Sequence, residues 1–334
     1  MTALPTMKDG SIWPDSIMKK YLFILLFFPL AIGAQQDAYL SLYQFNMSLI
    51  NPAYSGAEGQ HVISMNIRNQ WSNLEDSPKT TALSYSVASG KNVGLGISVV
   101  SDQVFIEKQT NITADFSYRL TLANDAALFL GIKAGGNSYS ADPTELRSYS
   151  VELDPVKKPL SQFNPNLGVG FYYQSTNYWF SGAMPRLFNA KRDGDIEVQS
   201  RDRIHTYFAA GALFSFNNKF TLKPSLMYRK TKGINAVTDM GIKLGYGGLF
   251  DLGFSVRTGS IFSVQALINI NENFSLGYAY DTYGADQLSG LNLKAHEIAL
   301  RFKFGSTSDD TPEQQIPSSE WFTIEYNSIW KNLH

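Results

Sequence analysis

The chain has 334 residues, 44% hydrophobic, 13% aromatic and only 17% charged, with a formal net charge of −1. That balance lacks the basic surplus of a nucleic-acid binder. Having no cysteine, the chain can form no disulfide, thiolate metal site, cysteine nucleophile or lipid anchor on cysteine.

In chain order, the first signal is the basic group Met18, Lys19 and Lys20, then a nearly unbroken apolar run over 21–32, then Gly33 and Ala34. Basic, apolar and small-residue regions in that order predict a secretory signal peptide cut before Gln35. The run is shorter than the ~20 residues a spanning helix needs. Residues 1–17 read as a mis-assigned start, with Met18 as initiator. The stretch 35–60 is rich in Tyr, Asn and Ser, and Pro52 and Gly56 punctuate it as turn rather than strand.

From His61 the chain breaks into alternating runs: 61–70, 80–89, 92–102, 109–122, 126–137, 164–175 and 177–187, then 203–216, 219–231, 236–246, 249–258, 261–270, 273–282 and 295–304. Fourteen is an even number, as bacterial single-chain barrels require. Their length suits tilted membrane strands of ~9–11 residues better than soluble strands of about five or six. Short connections (90–91, 123–125, 176, 217–218, 247–248, 271–272) alternate with longer ones (71–79, 138–163, 188–202, 283–294), as periplasmic turns alternate with outer loops. The tight pair Gly259 and Ser260 falls on the outer side as an exception.

The faces of these runs point the same way. In the last, Ile298, Leu300, Phe302 and Phe304 share one side, while Glu297, Ala299, Arg301 and Lys303 share the other. Phe254 and Val256 likewise oppose Ser255 and Arg257, and Phe116 and Tyr118 oppose Asp115 and Arg119. Arg or Lys on the lipid face at mid-bilayer costs ~2–4 kcal/mol, so the charged rows read as luminal. Trp71, Tyr178, Trp179, Tyr228 and Tyr246, near strand ends, are expected at the headgroup girdles. Pro224 interrupts a strand, which predicts a bulge. The alternative, a soluble β-sandwich with the apolar rows inward, would need an unusually wide core.

The expected organisation is therefore all-β: a signal peptide with its extension over 1–34, a periplasmic or plug segment over 35–60, and a transmembrane antiparallel barrel of about fourteen strands over 61–304. A polar linker and aromatic tail follow over 305–334, which either docks back or is a disordered leftover. The expected location is the bacterial outer membrane, in contact with its lipid, with both termini periplasmic.

Three stretches resemble the PorP/SprF family of outer-membrane proteins, part of the type IX secretion and gliding apparatus of Bacteroidetes. In the first, Tyr43, Gln44, Phe45 and Asn46 lead into Asn51, Pro52, Ala53, Tyr54, Ser55 and Gly56. In the second, Arg68, Asn69, Gln70 and Trp71 precede Pro78, Lys79 and Thr80. The third comprises Tyr278, Ala279, Tyr280 and Asp281, then Leu288 and Ser289, then His296, Glu297 and Ile298. The family pattern does not continue past Phe304 as this chain does.

The resemblance implies a non-enzymatic barrel without cofactor, whose partners are a secreted surface adhesin, periplasmic secretion components, or both. On the residues themselves, Asn51–Gly56 reads as a turn within the bore, with Arg68 pointing to the same interior as Asp251 or Asp281. Trp71, Gln70, Pro78, Tyr280, His296 and Glu297 complete the candidate plug or partner contacts. Inward glycines (Gly94, Gly96, Gly168, Gly170, Gly277) leave room for luminal contents. Inward charges of both signs (Asp115, Arg119, Lys223, Asp239, Lys243, Asp251, Arg257, Glu297, Arg301) suit an occupied bore better than an ion-selective ring.

Two other classes remain. A transport channel with an N-terminal hatch would share the strand number. An outer-membrane hydrolase would need a shared site, but His296 and Glu297 are adjacent on a strand and face opposite ways. His61, His205, His296 and His334 show no metal-ligand spacing.

Overall fold

A computed structural model describes residues 39–72, 76–90, 92–142, 160–188, 204–216, 219–284 and 293–305. The expected signal peptide, residues 35–38 and the tail beyond Gly305 lie outside the described residues. After two short 3-10 turns (Tyr43–Leu49 and Pro52–Tyr54), every element is a strand. In order these are β1 (His61–Gln70), β2 (Lys79–Ser89), β3 (Val93–Val104), β4 (Glu107–Thr121), β5 (Ala127–Ala141), β6 (Leu160–Gln174) and β7 (Tyr178–Arg186). There follow β8 (His205–Ala212), β9 (Phe214–Phe216), β10 (Phe220–Thr231), β11 (Val237–Tyr246), β12 (Phe250–Arg257), β13 (Ile261–Asn269), β14 (Phe274–Tyr283) and β15 (Lys294–Phe304). Among the described residues no helix is long and apolar enough to cross a membrane.

All neighbours pair antiparallel in sequence order, and β1 pairs with β15 from His61↔Phe304 to Gln70↔Ala295, which closes the barrel. Because β8 and β9 lie end to end against β10, the fifteen segments make a fourteen-strand barrel. A closed sheet leaves no unpaired edge, the condition for a sheet to cross lipid.

Alternation decides what faces what. On β15, Glu297, Ala299, Arg301 and Lys303 are buried inward, whereas Ile298 and Phe302 are 47% and 44% exposed on the outer surface. On β1, Ser64, Asn66 and Arg68 turn inward, against Ile63 and Ile67 outward. The outer surface is consequently an apolar belt that includes Ile97, Ile112, Ile132, Met240, Leu252 and Val264.

Three details differ from expectation. Trp179 is buried in the bore, because it shares the inward parity of Ser181 on β7, whereas Tyr178 and Tyr228 are exposed on the outside. At Pro224 there is no bulge: β10 keeps one register against β8 (Ser225↔Gly211) and β9 (Leu222↔Phe214). Proline lacks a ladder donor, and the facing strand is interrupted close by at Leu213, between β8 and β9, where the Leu213 N–H continues the pairing toward β7 by donating to the Asn177 carbonyl. The irregularity lies elsewhere, in β7, where the register against β8 slips between Ala183 and Arg186, around Pro185.

The wall is uneven in height. Strands β4, β5 and β6 each run 15 residues, against 8 for β12. The excess of β5 and β6 lies on the long-loop side and forms a tall half-wall there.

Candidate functional site

The bore is filled by the chain's own residues 39–60. Tyr39 packs against Met227, Arg229 and Arg257, near the long-loop ends of β10 and β12. The segment then descends. Glu58 meets Arg301 and Lys303 at the short-turn end of β15, immediately before β1 begins. Tyr39 therefore lies toward the long-loop mouth and Gly305 at the short-turn mouth. Between these described ends the chain threads the bore before entering β1; the termini themselves, expected in the periplasm, lie outside the described residues.

Local chemistry explains the path. Asn51 caps the second 3-10 turn, its Oδ1 accepting from Ala53 N–H at 2.9 Å, with Pro52 supplying the φ a helical start needs. Gly56, at φ 76°, reverses the chain in the left-handed region. The segment is two-sided. Tyr39, Tyr43, Met47, Ala53 and Tyr54 join Phe129, Tyr172, Trp179 and Met227 of the wall in an apolar core inside the barrel. Its polar atoms reach the wall on several strands, from β12 through β15 and β1 for Ser41 to β4, β6 and β7 for Asn51 and Ser55.

The upper half is held by charge. Arg68 binds Asp281 at 2.6 Å and Glu297 at 3.3 Å, all three fully buried. Ser41 sits on this triad and uses every polar atom. Its N–H donates to Glu297 (2.7 Å), and its Oγ donates to Asp281 (2.7 Å) while accepting from Arg68 and Arg257. Its carbonyl accepts from Gln265. Leu42 N–H and Asn66 also donate to Glu297, and Arg257 pairs with Asp239 at 3.1 Å. Opposed charges and shared hydrogen bonds offset the cost of burying these ions. Below them, Asn46 bridges Asn66 and Ser84, and Gln44 accepts from Lys243.

The lower half is held by shape. A Cβ on Gly94 would strike the Ser55 carbonyl, one on Gly131 the backbone of Ala53, and one on Gly170 the Asn51 side chain. Asn51 Nδ2 donates to Ser181 (2.8 Å) and to the Phe171 carbonyl (2.9 Å). Ser55 donates to Asp115, itself paired with Lys133 at 2.9 Å, and Ser117 donates to the Ser55 carbonyl. At the foot, burial alone would push the Glu58 carboxyl up, but Arg301 and Lys303 outweigh it and hold Glu58 below the usual range.

The candidate residues divide by location. Asn51, Pro52, Ala53, Tyr54 and Gly56 line the lower seat, and Arg68, Asp281 and Glu297 form the buried triad. Gln70 donates to Tyr283 above the triad, and its N–H meets the Pro78 carbonyl across the loop that carries Trp71. Tyr280 and His296 lie apart from these, on the outer surface, where the His296 ring contacts Tyr280 and Tyr278. Of the inward glycines, Gly168 faces the Pro185 backbone rather than the segment. Sequence reasoning missed Ser41, Tyr39, Glu58 and Gly131; only the inward parity of Gly131 signalled a close approach. His61 stacks on Phe304, His205 is buried in the wall, and His334 lies outside the described residues. Among the described residues no cluster of His, Asp and Glu has the makings of a metal site.

A closed fourteen-strand antiparallel barrel with an apolar belt and a polar, occupied interior defines an outer-membrane β-barrel protein. The chain belongs to the PorP/SprF family of type IX secretion system membrane proteins, whose family model matches residues 32–302. It is thus a barrel component of that secretion system. Among solved structures, it is similar to a Pseudomonas aeruginosa FadL homologue (11% identity, 82% of this chain and 96% of that one, TM-score 0.47). It is also similar to the CymD monoaromatic hydrocarbon channel (12%, 84% and 96%, TM-score 0.46) and to Acinetobacter baumannii Omp33 (9%, 73% and 99%, TM-score 0.42). No curated protein matches the sequence.

Proposed function

We propose that this protein is a non-enzymatic docking component of type IX secretion, which holds an exported adhesin at the cell surface and couples to machinery in the periplasm. The observation that supports this reading is the threaded bore. Residues 39–60 act as a plug, tied to the wall at both levels, so the barrel works through its mouths and loops rather than by passing solutes. Asn51, Tyr54, Arg68, Asp281 and Glu297 are the plug contacts in this reading. Trp71, Gln70, Pro78, Tyr280, His296 and the long loops are the places a partner reaches. With short turns periplasmic, the chain leaves β15 on the periplasmic side, which suits a tail that engages machinery there.

The test is purification of the tagged protein from its own outer membrane in mild detergent, with identification of what accompanies it. A large surface protein or machinery lipoprotein at stoichiometric yield is expected. A solitary barrel under those conditions would overturn the docking role. The plug has its own test: deletion of residues 46–56 is expected to raise single-channel conductance, and an unchanged conductance counts against it.

A further inference from the structure

Above the luminal segment, under the tall half-wall, lies a cavity of about 160 Å³ that the contacts described so far do not use. Its apolar side is made by Tyr39, Leu49, Ile50 and Met227. Its polar side includes Asn111, Thr113, Lys133 and Arg186. The volume is close to that of an apolar protein cavity that holds benzene, ~150 Å³, so one ring or a short branched chain fits.

The charge is lopsided. Lys133 is already matched by Asp115. Arg186 has no carboxylate partner among the described residues, and it lines the cavity only because of the slip in β7. Strict alternation from Trp179, Ser181 and Ala183 would turn Arg186 outward; the extra residue at Pro185 brings it opposite His205 instead. The next inward residue on β8, Tyr207, lines the cavity and faces Arg229 of β10. Arg229 is 4% exposed, and its Nε and Nη1 have no hydrogen-bond partner. Its guanidinium lies over the Tyr39 ring, 5.3 Å from the centroid. The one neighbouring inward carboxylate, Asp239, is taken by Arg257. Arg186 thus stands opposite His205, whose partner on β10 is Thr231, while Arg229 lies one inward row away, behind Tyr207 and outside the cavity lining. Asp102, the carboxylate in the cavity lining, is four strands round the wall on β3 and accepts from Thr80.

A cavity-lining guanidinium with no opposing carboxylate is satisfied best by a carboxylate, which matches its fork of donors. We propose that this cavity binds a small amphipathic monocarboxylate, its ring or branched chain against Tyr39, Ile50 and Met227 and its carboxylate at Arg186. The site is independent of the docking role: a free metabolite-sized acid binds here whether or not an adhesin is attached.

The test is equilibrium dialysis of the full-length protein in detergent, with phenylacetate, its neutral isostere phenylacetamide, and phenethylamine as probes. Phenylacetate is expected to bind saturably, at least about tenfold more tightly than the amide, because a charged hydrogen bond is lost. Phenethylamine is expected not to bind. R186Q should remove the preference for the acid while leaving the amide unchanged, and V100W, which fills the cavity, should abolish both. Uptake by micelles alone is excluded if V100W binds neither. Folding of each variant is read from heat-modifiable gel mobility. Equal affinity for acid and amide, no saturable binding by the wild type, or unchanged preference in R186Q would overturn the proposal.

Discussion

The two halves of the luminal segment are attached by different physics. From Tyr39 to Ser48, beside the apolar packing of Tyr39, Tyr43 and Met47, the attachment is ionic and hydrogen-bonded, centred on Ser41 over Arg68, Asp281 and Glu297. From Asn51 to Gly56 the segment lies against wall glycines at distances that admit no side chain. The upper attachment is a set of strong, mutually dependent interactions, so removing one member exposes the others. The lower is a steric fit that tolerates changes of charge but not of volume. One end of the segment is therefore releasable by chemistry, and the other only by reshaping the wall.

The largest effect is expected from R68M. It leaves two buried carboxylates without their cation, a loss of ~3–5 kcal/mol for a broken buried pair. Lower thermal stability and higher single-channel conductance would register release of the upper half. The triple variant R68M/D281N/E297Q, which removes charge altogether, should recover much of that loss; if it does not, the upper half is held by packing.

Next come G94A and G131V, in which the new atoms meet the backbone of Ser55 and Ala53. Backbone cannot swing aside as a flexible side chain does, so overpacking of ~1–3 kcal/mol is expected. Cleavage within residues 51–57 by added protease would rise in both.

A smaller, pH-dependent effect separates the foot from the rest. The folded Glu58 is held below its ordinary value by Arg301 and Lys303. Its contribution is therefore complete above about pH 4.3, the unfolded value, and is lost as pH falls through the lower, folded value. Limited proteolysis of the wild type across pH 5 to 3 should show loosening that E58Q, already lacking the charge, does not repeat. The smallest change is expected for Y39L, which forfeits stacking on Arg257 (3.4 Å from the ring centroid), ~0.5–2 kcal/mol. If Y39L equals R68M in effect, the Ser41 triad is not the main upper attachment.

Strand number, closure and the direction of nearly every wall side chain were legible in the sequence. A period-two pattern over ten residues leaves one arrangement that keeps charge out of lipid, and β15 shows it in Glu297, Arg301 and Lys303 against Ile298 and Phe302. Arg68 and Asp281 were legible as occupants of one interior for the same reason. Trp179 was misread because its nearness to a strand end was weighed above its parity with Ser181, which turns it into the bore, where it meets Tyr172.

Local order along the chain thus determined the barrel, since each strand carries its own two faces. Only the tertiary structure decided what fills it. The path of residues 39–60 depends on meetings such as Ser41 with Glu297 and Ser55 with Gly94, far apart in sequence and chosen by the shape of the closed wall. The inward turn of Arg186 likewise follows from a one-residue slip between two strands, which no alternation within either strand encodes.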